Sequence, residues 1–279
     1  MIITTTYCQK ISGNLKFNQG QNIQVVMETK TTVAQEAMGQ VIDFNANGSV
    51  THAYTVTNET DDNTTLNHKM RRITFTFDGM GQKRNFDSDN PKDMNGQFGK
   101  PIKEALDKSY SMVIDPSGKV MMAIPEKFDA SPDDERLMMI ANMLKDVLGS
   151  VQPPKKGEAS LFKVLPENEI KKGDSWTETN IFEGGKSSTV YTLSSISDST
   201  LVIDFTGNSN TVTKSEFMGM ETTTNLNNKT NGKIIVDKAT RIIREKNQVT
   251  DSKGTTDAMG NSIPVTSKTT ISIKVIPSN

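Results

Sequence analysis

Apolar and polar residues alternate along most of this chain, and the alternation has the two-residue period of β-strands. Ile23, Val25 and Met27 share one parity, as do Val50, His52, Tyr54 and Val56. Ile73, Phe75 and Phe77 alternate with Thr74 and Thr76. The second half repeats the habit at Leu201, Ile203 and Phe205, and at Ile271, Ile273 and Val275. A slip of one residue would turn each set to solvent, so the register is strongly specified. The pattern predicts a mainly β protein of the β-rich α+β class. Its expected form is a curved antiparallel sheet or half-barrel built from two related halves, with one long and one short helix.

The long helix is expected over residues 132–148. Ser131 is a suitable N-cap, Pro132 fits the first helical position, and Asp133, Asp134 and Glu135 complement the positive helix end. Leu137, Ile140, Leu144, Val147 and Leu148 form its apolar stripe, which Met138, Met139 and Met143 widen. The short helix starts near Pro101 and includes Ile102, Ala105 and Leu106. Residues 152–157, with two prolines and a glycine, read as a connector.

Two stretches look like copies of one hairpin. Residues 111–120 align with residues 233–242, each an apolar strand, an Asp opening a tight turn (Asp115, Asp237), a basic residue and a second apolar strand. The first turn carries Pro116 and Gly118; the second has neither residue type, so its geometry is expected to differ. Glycine phrases at Gly20 and Gly173 are spaced about 30 residues wider than the Asp turns. The duplication is therefore imperfect, with the extra length assigned to the loop at residues 87–99 and the turn after it. The organisation that follows is an N-terminal segment 1–14, a first β half 15–130, a helix and connector 131–157, and a second β half 158–279, forming one continuous domain.

Composition narrows the function classes. Lys+Arg 32 against Asp+Glu 33 leaves a net charge of −1, which supplies no basic field for a phosphate backbone, so no nucleic-acid partner is expected. Only 34% of residues are hydrophobic and mean hydropathy is −0.50, as expected where only every second side chain is buried. The single cysteine, Cys8, cannot form an intramolecular disulfide. No stretch approaches the ~20 apolar residues of a transmembrane helix. Ile2-Ile3 followed by small polar residues fits either the tail of a truncated export signal or an ordinary cytosolic start. Tyr7 before Cys8 fits a lipid-anchor site poorly.

Catalytic material is sparse. His52 and His68 are the only histidines, and neither has an evident partner to orient it as a base. His52 shares the parity of Val50 and Tyr54 and is expected to be partly buried; His68, beside Lys69, Arg71 and Arg72, is expected at the solvated start of a strand. Residues 87–98 imitate a calcium loop but place Pro91, Lys92 and Phe98 where ligand, glycine and glutamate are needed. No metal and no cofactor are expected. Glycoside hydrolysis through paired carboxylates is a lesser alternative, because an exposed sugar site usually brings aromatic platforms and the chain has one tryptophan, Trp176. Met-Gly recurs at residues 38–39, 80–81, 218–219 and 259–260, each between strand-like stretches, and reads as four hairpin tips. The cluster Met121, Met138, Met139 and Met143 is pliable enough for an irregular core or for an adaptable apolar pocket.

Three phrases carry a resemblance: Phe86-Asp87-Ser88-Asp89-Asn90-Pro91, the Asp115 turn up to Val120, and Leu165-Pro166 with Lys172-Gly173-Asp174-Ser175-Trp176. Together they resemble a family of uncharacterised envelope proteins of Bacteroidetes-type bacteria, over roughly residues 15–276. The resemblance implies an exported or lipid-anchored protein and brings no catalytic residues. The arrangement of strands and Met-rich helix also resembles the half-barrel of lipoprotein carriers. The function expected is that of a non-enzymatic periplasmic, outer-membrane-associated or secreted protein. It would bind a lipid or other apolar ligand at Met121, Met138, Met139 and Met143, or act as a scaffold for another envelope protein.

Overall fold

The computed structural model describes residues 10–278 apart from 38–39, 80, 126–152, 183, 218–219 and 259. Its strands are β1 (Asn22–Ala37), β2 (Gln40–Glu59), β3 (Thr64–Gly79), β4 (Gln82–Asp87), β5 (Ser109–Ile114), β6 (Val120–Ile124), β7 (Ser175–Phe182), β8 (Gly185–Ile196), β9 (Thr200–Phe217), β10 (Met220–Asp237), β11 (Ile243–Ala258) and β12 (Asn261–Ser278). All belong to one open, curved antiparallel sheet in the order β6-β5-β3-β2-β1-β12-β11-β10-β9-β8-β7, with β4 added beside β3. The first and second runs of strands join where β1 pairs with β12, for example Val25 opposite Val275. β2 has 20 residues and is about 65 Å long at the rise of an extended chain.

The expected parities hold. Ile23, Val25, Met27, Val50, His52, Tyr54, Val56, Ile73, Phe75, Phe77, Leu201, Ile203, Phe205, Ile273 and Val275 are buried on the inner face. At one end of the sheet this face is packed by residues 10–20 and 153–174, which contribute Ile11, Phe17, Phe162, Val164, Leu165 and Ile170. Ile11 and Ile170 exchange both backbone bonds, at 2.7 and 3.0 Å, tying the two covering segments together.

The long helix expected over residues 132–148 lies outside the described residues. The helices among the described residues are short, α1 (Pro91–Met94) and α2 (Gly99–Asp107), and α2 answers the short helix expected from Pro101. Asn90 caps α1 through its side chain. Met94, Phe98, Ile102, Ala105 and Leu106 pack on Val50, Met70, Ile73, Phe75 and Phe86. The extra length at residues 87–99 therefore builds a small secondary core over β3 and β4.

The two Asp hairpins share more geometry than their turn residues suggest. Each has a register shift immediately before its aspartate, at Val113/Ile114 and at Ile235/Val236. Asp115 N–H donates to Lys119 O, and Asp237 N–H donates to Ile242 O, so the second loop is one residue longer. Lys119 thus corresponds to Ile242, not to Arg241 as the linear alignment has it. Gly118 (φ 86) corresponds to Arg241 (φ 64), a non-glycine residue in the left-handed region. The N-terminal strap binds both turns: Leu15 N–H donates to Pro116 O at 2.7 Å and Lys16 N–H to Thr240 O at 2.8 Å.

At the opposite end, paired strands stop with two residues between them, as at Ala37 opposite Gln40 and Gly79 opposite Gln82. Of the four Met-Gly phrases, Met38-Gly39, Met80, Met218-Gly219 and Met259 lie outside the described residues; Gly81 and Gly260 are described and take positive φ, 71 and 77.

Candidate functional site

The antiparallel register sets inner-face side chains in rows that cross the sheet at the inter-strand spacing of about 4.8 Å. The row nearest the packed core is aliphatic through Val50, Met27, Ile273, Ile234, Ile203 and Leu193, with Lys246 in the β11 place. The next ends in aromatics, Phe205, Tyr191 and Trp176. Beyond it runs a threonine row, Thr31, Thr269, Thr250, Thr230 and Thr189, with Glu178 at its β7 end. Thr31–Thr269 and Thr230–Thr250 are hydrogen-bonded at 3.0 and 2.9 Å. A further row is Ser267, Ser252, Asn228, Ser209, Ser187 and Asn180 on the same side of β1, but Val33 and Phe44 on β1 and β2. The inner face above the core is consequently apolar on the β1–β3 side and rich in hydroxyls and amides on the β7–β11 side.

A cavity of about 170 Å³ opens on the polar side, lined by Ser187, Thr189, Tyr191, Phe205, Gly207, Asn208, Ser209, Thr230, Lys246 and Gln248. Its floor is the aromatic row: Trp176 stacks on Tyr191 at 5.4 Å between centroids, and Tyr191 tilts against Phe205 at 5.6 Å. The Lys246 ammonium stands 5.3 Å from the Phe205 ring centre. Gly232 makes room beneath, since a Cβ there would collide with the Phe205 ring. Burial pushes the Lys246 ammonium below its usual pKa against the pull of Glu178, and burial raises Glu178 against the pull of Lys163 and Lys246. Burial, with the Glu178 charge, pushes the Tyr191 hydroxyl up to about 12.

Of the residues predicted as a ligand site, Met121 alone falls among the described residues. Met121 lies on β6 at the sheet edge, 47% exposed together with Met122 and Ile124, while Met138, Met139 and Met143 lie outside the described residues. His68 corrects the sequence expectation: it is buried, not solvated. Its parity is that of Leu66 and Met70, and the neighbouring Lys69 and Arg71 occupy other positions that face solvent. Lys246 and Gln248 were missed because the sequence of β11 shows no alternation, and Thr189 and Glu178, on β8 and β7, because the threonine row exists only once the register is known. Among the described residues no three His, Cys, Asp or Glu side chains converge as metal ligands.

Fold and site together define an open antiparallel β-sheet protein with a packed end and a half-polar inner face that no described helix covers beyond that end. The chain belongs to a family of unknown function (DUF6263), whose model matches residues 61–243. The resemblance to an uncharacterised family is thus supported, without its bacterial group. No curated protein matches the chain. Among solved structures the chain is similar to lipovitellin, described under lipid–protein interactions, at 10% identity and a TM-score of 0.49. That alignment covers 95% of this chain and 26% of lipovitellin's. An outer membrane channel from Pseudomonas putida aligns over 99% of this chain and 100% of its own, at 9% identity and a TM-score of 0.28. Likeness at this level is that of long antiparallel strands in general.

Proposed function

We propose that this is a non-enzymatic protein of the bacterial envelope that holds an apolar ligand, such as an acyl chain, on the inner face of its sheet. One observation carries the reading. Phe44, Val33, Ile263 and Leu226, half-buried, together with the buried Phe77 and Val265, form an apolar strip beyond the packed end, and no described helix packs over it. Soluble monomers seldom leave contiguous apolar surface without a use. Native mass spectrometry and solvent extraction of the purified protein, with titration of a fluorescent fatty acid, test it. Saturable binding that is lost in Val33→Asp and Phe44→Asp is expected. Absence of both extractable lipid and saturable probe binding overturns the reading.

A scaffold role is the second reading. It is favoured by edge strand β7, which among the described residues pairs only with β8 and exposes Ile181 at 83%. Open strand edges are sites of strand addition. Co-purified envelope proteins that disappear on Thr179→Pro substitution would support it.

A further inference from the structure

We infer that the cavity between β8, β9, β10 and β11 is a binding site for a neutral sugar ring, a site separate from the apolar strip. Four features make the argument. The cavity is small and half open, of about 170 Å³, and suits one ring better than an extended chain. Its lining is a frame of hydroxyl and amide groups, Ser187, Thr189, Ser209, Thr230 and Gln248, each able to donate or accept toward a polyol. Its floor includes Tyr191 and Phe205, continued by Trp176, and aromatic rings offer an apolar face to the C–H side of a sugar. The fourth feature is polar capacity without a partner. Among the described residues Lys246, which lines the cavity, makes no ion pair, and Trp176 Nε1–H, behind the lining Tyr191, is buried with no hydrogen-bond partner.

Charge selects the neutral class over an anion. Lys246 is the one cationic side chain lining the cavity, and Glu178, next to Thr189 across the β7–β8 pair, offsets it. An anionic group at the ammonium would sit near the Glu178 carboxylate, whereas a neutral polyol can accept from Lys246 and exchange hydrogen bonds with the hydroxyls of the frame. The aliphatic alternative fails for the converse reason. A hydrocarbon would cover hydroxyls, an amide and an ammonium without replacing their bonds to water.

The chain's single tryptophan, Trp176, stacks on the cavity-lining Tyr191, so its emission reports occupancy. The experiment titrates the purified full chain with methyl glycosides of glucose, galactose, mannose and N-acetylglucosamine, and separately with methyl phosphate and with decanoate. At least one glycoside is expected to shift the Trp176 emission saturably. Thr189→Val, which preserves shape, and Gln248→Ala should each weaken that glycoside by about tenfold. Val33→Asp should leave the glycoside response intact, which separates this site from the apolar strip. No saturable response to any glycoside, a response to methyl phosphate or decanoate alone, or undiminished binding in both variants would overturn the inference. Thermal unfolding of Thr189→Val close to that of the parent chain certifies that a loss is local.

Discussion

His52 Nδ1 lies 2.8 Å from His68 Nε2, and both rings are buried, at 1% and 2% exposure, between β2 and β3. Tyr54 and Tyr110 close the cluster, with His68 and Tyr110 ring centres 4.3 Å apart. His68 Nδ1 has no hydrogen-bond partner among the described residues. One N–H must be shared between the two facing nitrogens, so the pair is stable only while at least one ring is neutral.

Acid should therefore weaken the fold through this pair. Burial lowers His52 to about 4; burial, with the His52 charge, lowers His68 to about 3, against 6.5 for a free side chain. Between those values the unfolded chain binds more protons than the folded one. The stability held by the neutral pair is complete above about pH 6.5 and falls as pH drops toward 4 and 3, by on the order of several kcal/mol. Thermal unfolding from pH 7.5 to 4 should show a falling midpoint, and His52→Leu/His68→Leu should flatten that slope. Ring protons titrating near 6.5 by NMR would contradict it.

Gly232 is where the sheet and the aromatic row are coupled. Gly232→Ala puts a methyl group into the Phe205 ring and against Asn247 O, so stability should fall by about 1–3 kcal/mol. Because Phe205 leans on Tyr191, the Trp176 emission of the folded variant should shift as well. Denaturant titration followed by tryptophan fluorescence reads both effects; a stable variant with unchanged emission argues against the coupling.

Position on the inner or outer face should decide the cost of truncation. Ile203 is fully buried, and Ile203→Ala should cost about 2–5 kcal/mol, depending on how far the site collapses. Ile181→Ala, on the exposed edge strand, should stay within about 0.5 kcal/mol. Equal urea midpoints for the two variants would be inconsistent with the sheet's assigned faces.

The Asp237 turn should tolerate substitution less well than its sequence suggests. Asp237 Oδ1 accepts from Ala239 N–H, Thr240 N–H and the Thr240 hydroxyl, while Arg244 binds Oδ2. Burial alone would raise this carboxyl, but these bonds hold it below the usual carboxylate range. Asp237→Ala should cost about 1–3 kcal/mol at pH 7 and less as pH falls through the native pKa. At the equivalent turn, Gly118→Ala forces a side chain onto φ 86 with Leu15 Cδ1 at 2.8 Å, and should cost a comparable amount. Unfolding free energies at pH 7 and pH 3 check both.

The parity of Ile23-Val25-Met27 and of Ile73-Phe75-Phe77 was enough to name strands and their buried faces, because burial of one face imposes a period of two wherever it occurs. The turns at Gly81 (φ 71) and Gly260 (φ 77) were legible for a similarly local reason, since a two-residue turn needs glycine's positive φ. His68 was misread because its charged sequence neighbours look decisive when only the chain is visible, whereas a strand turns adjacent residues to opposite faces. The one-residue difference between the Asp turns was equally hidden, since Arg241 takes the conformation of Gly118 without resembling it.

The sequence by itself determined that this protein is built of long antiparallel strands with one buried face and turns of known kind. Those properties depend on residues within a few positions of each other. Only the tertiary structure decided that β1 pairs with β12, that Thr31, Thr269, Thr250 and Thr230 line up in one row, and that Lys246 stands over Phe205 beside a hydroxyl-lined cavity. These groups come from strands far apart in the chain. Their meeting depends on register and curvature, which no local pattern encodes.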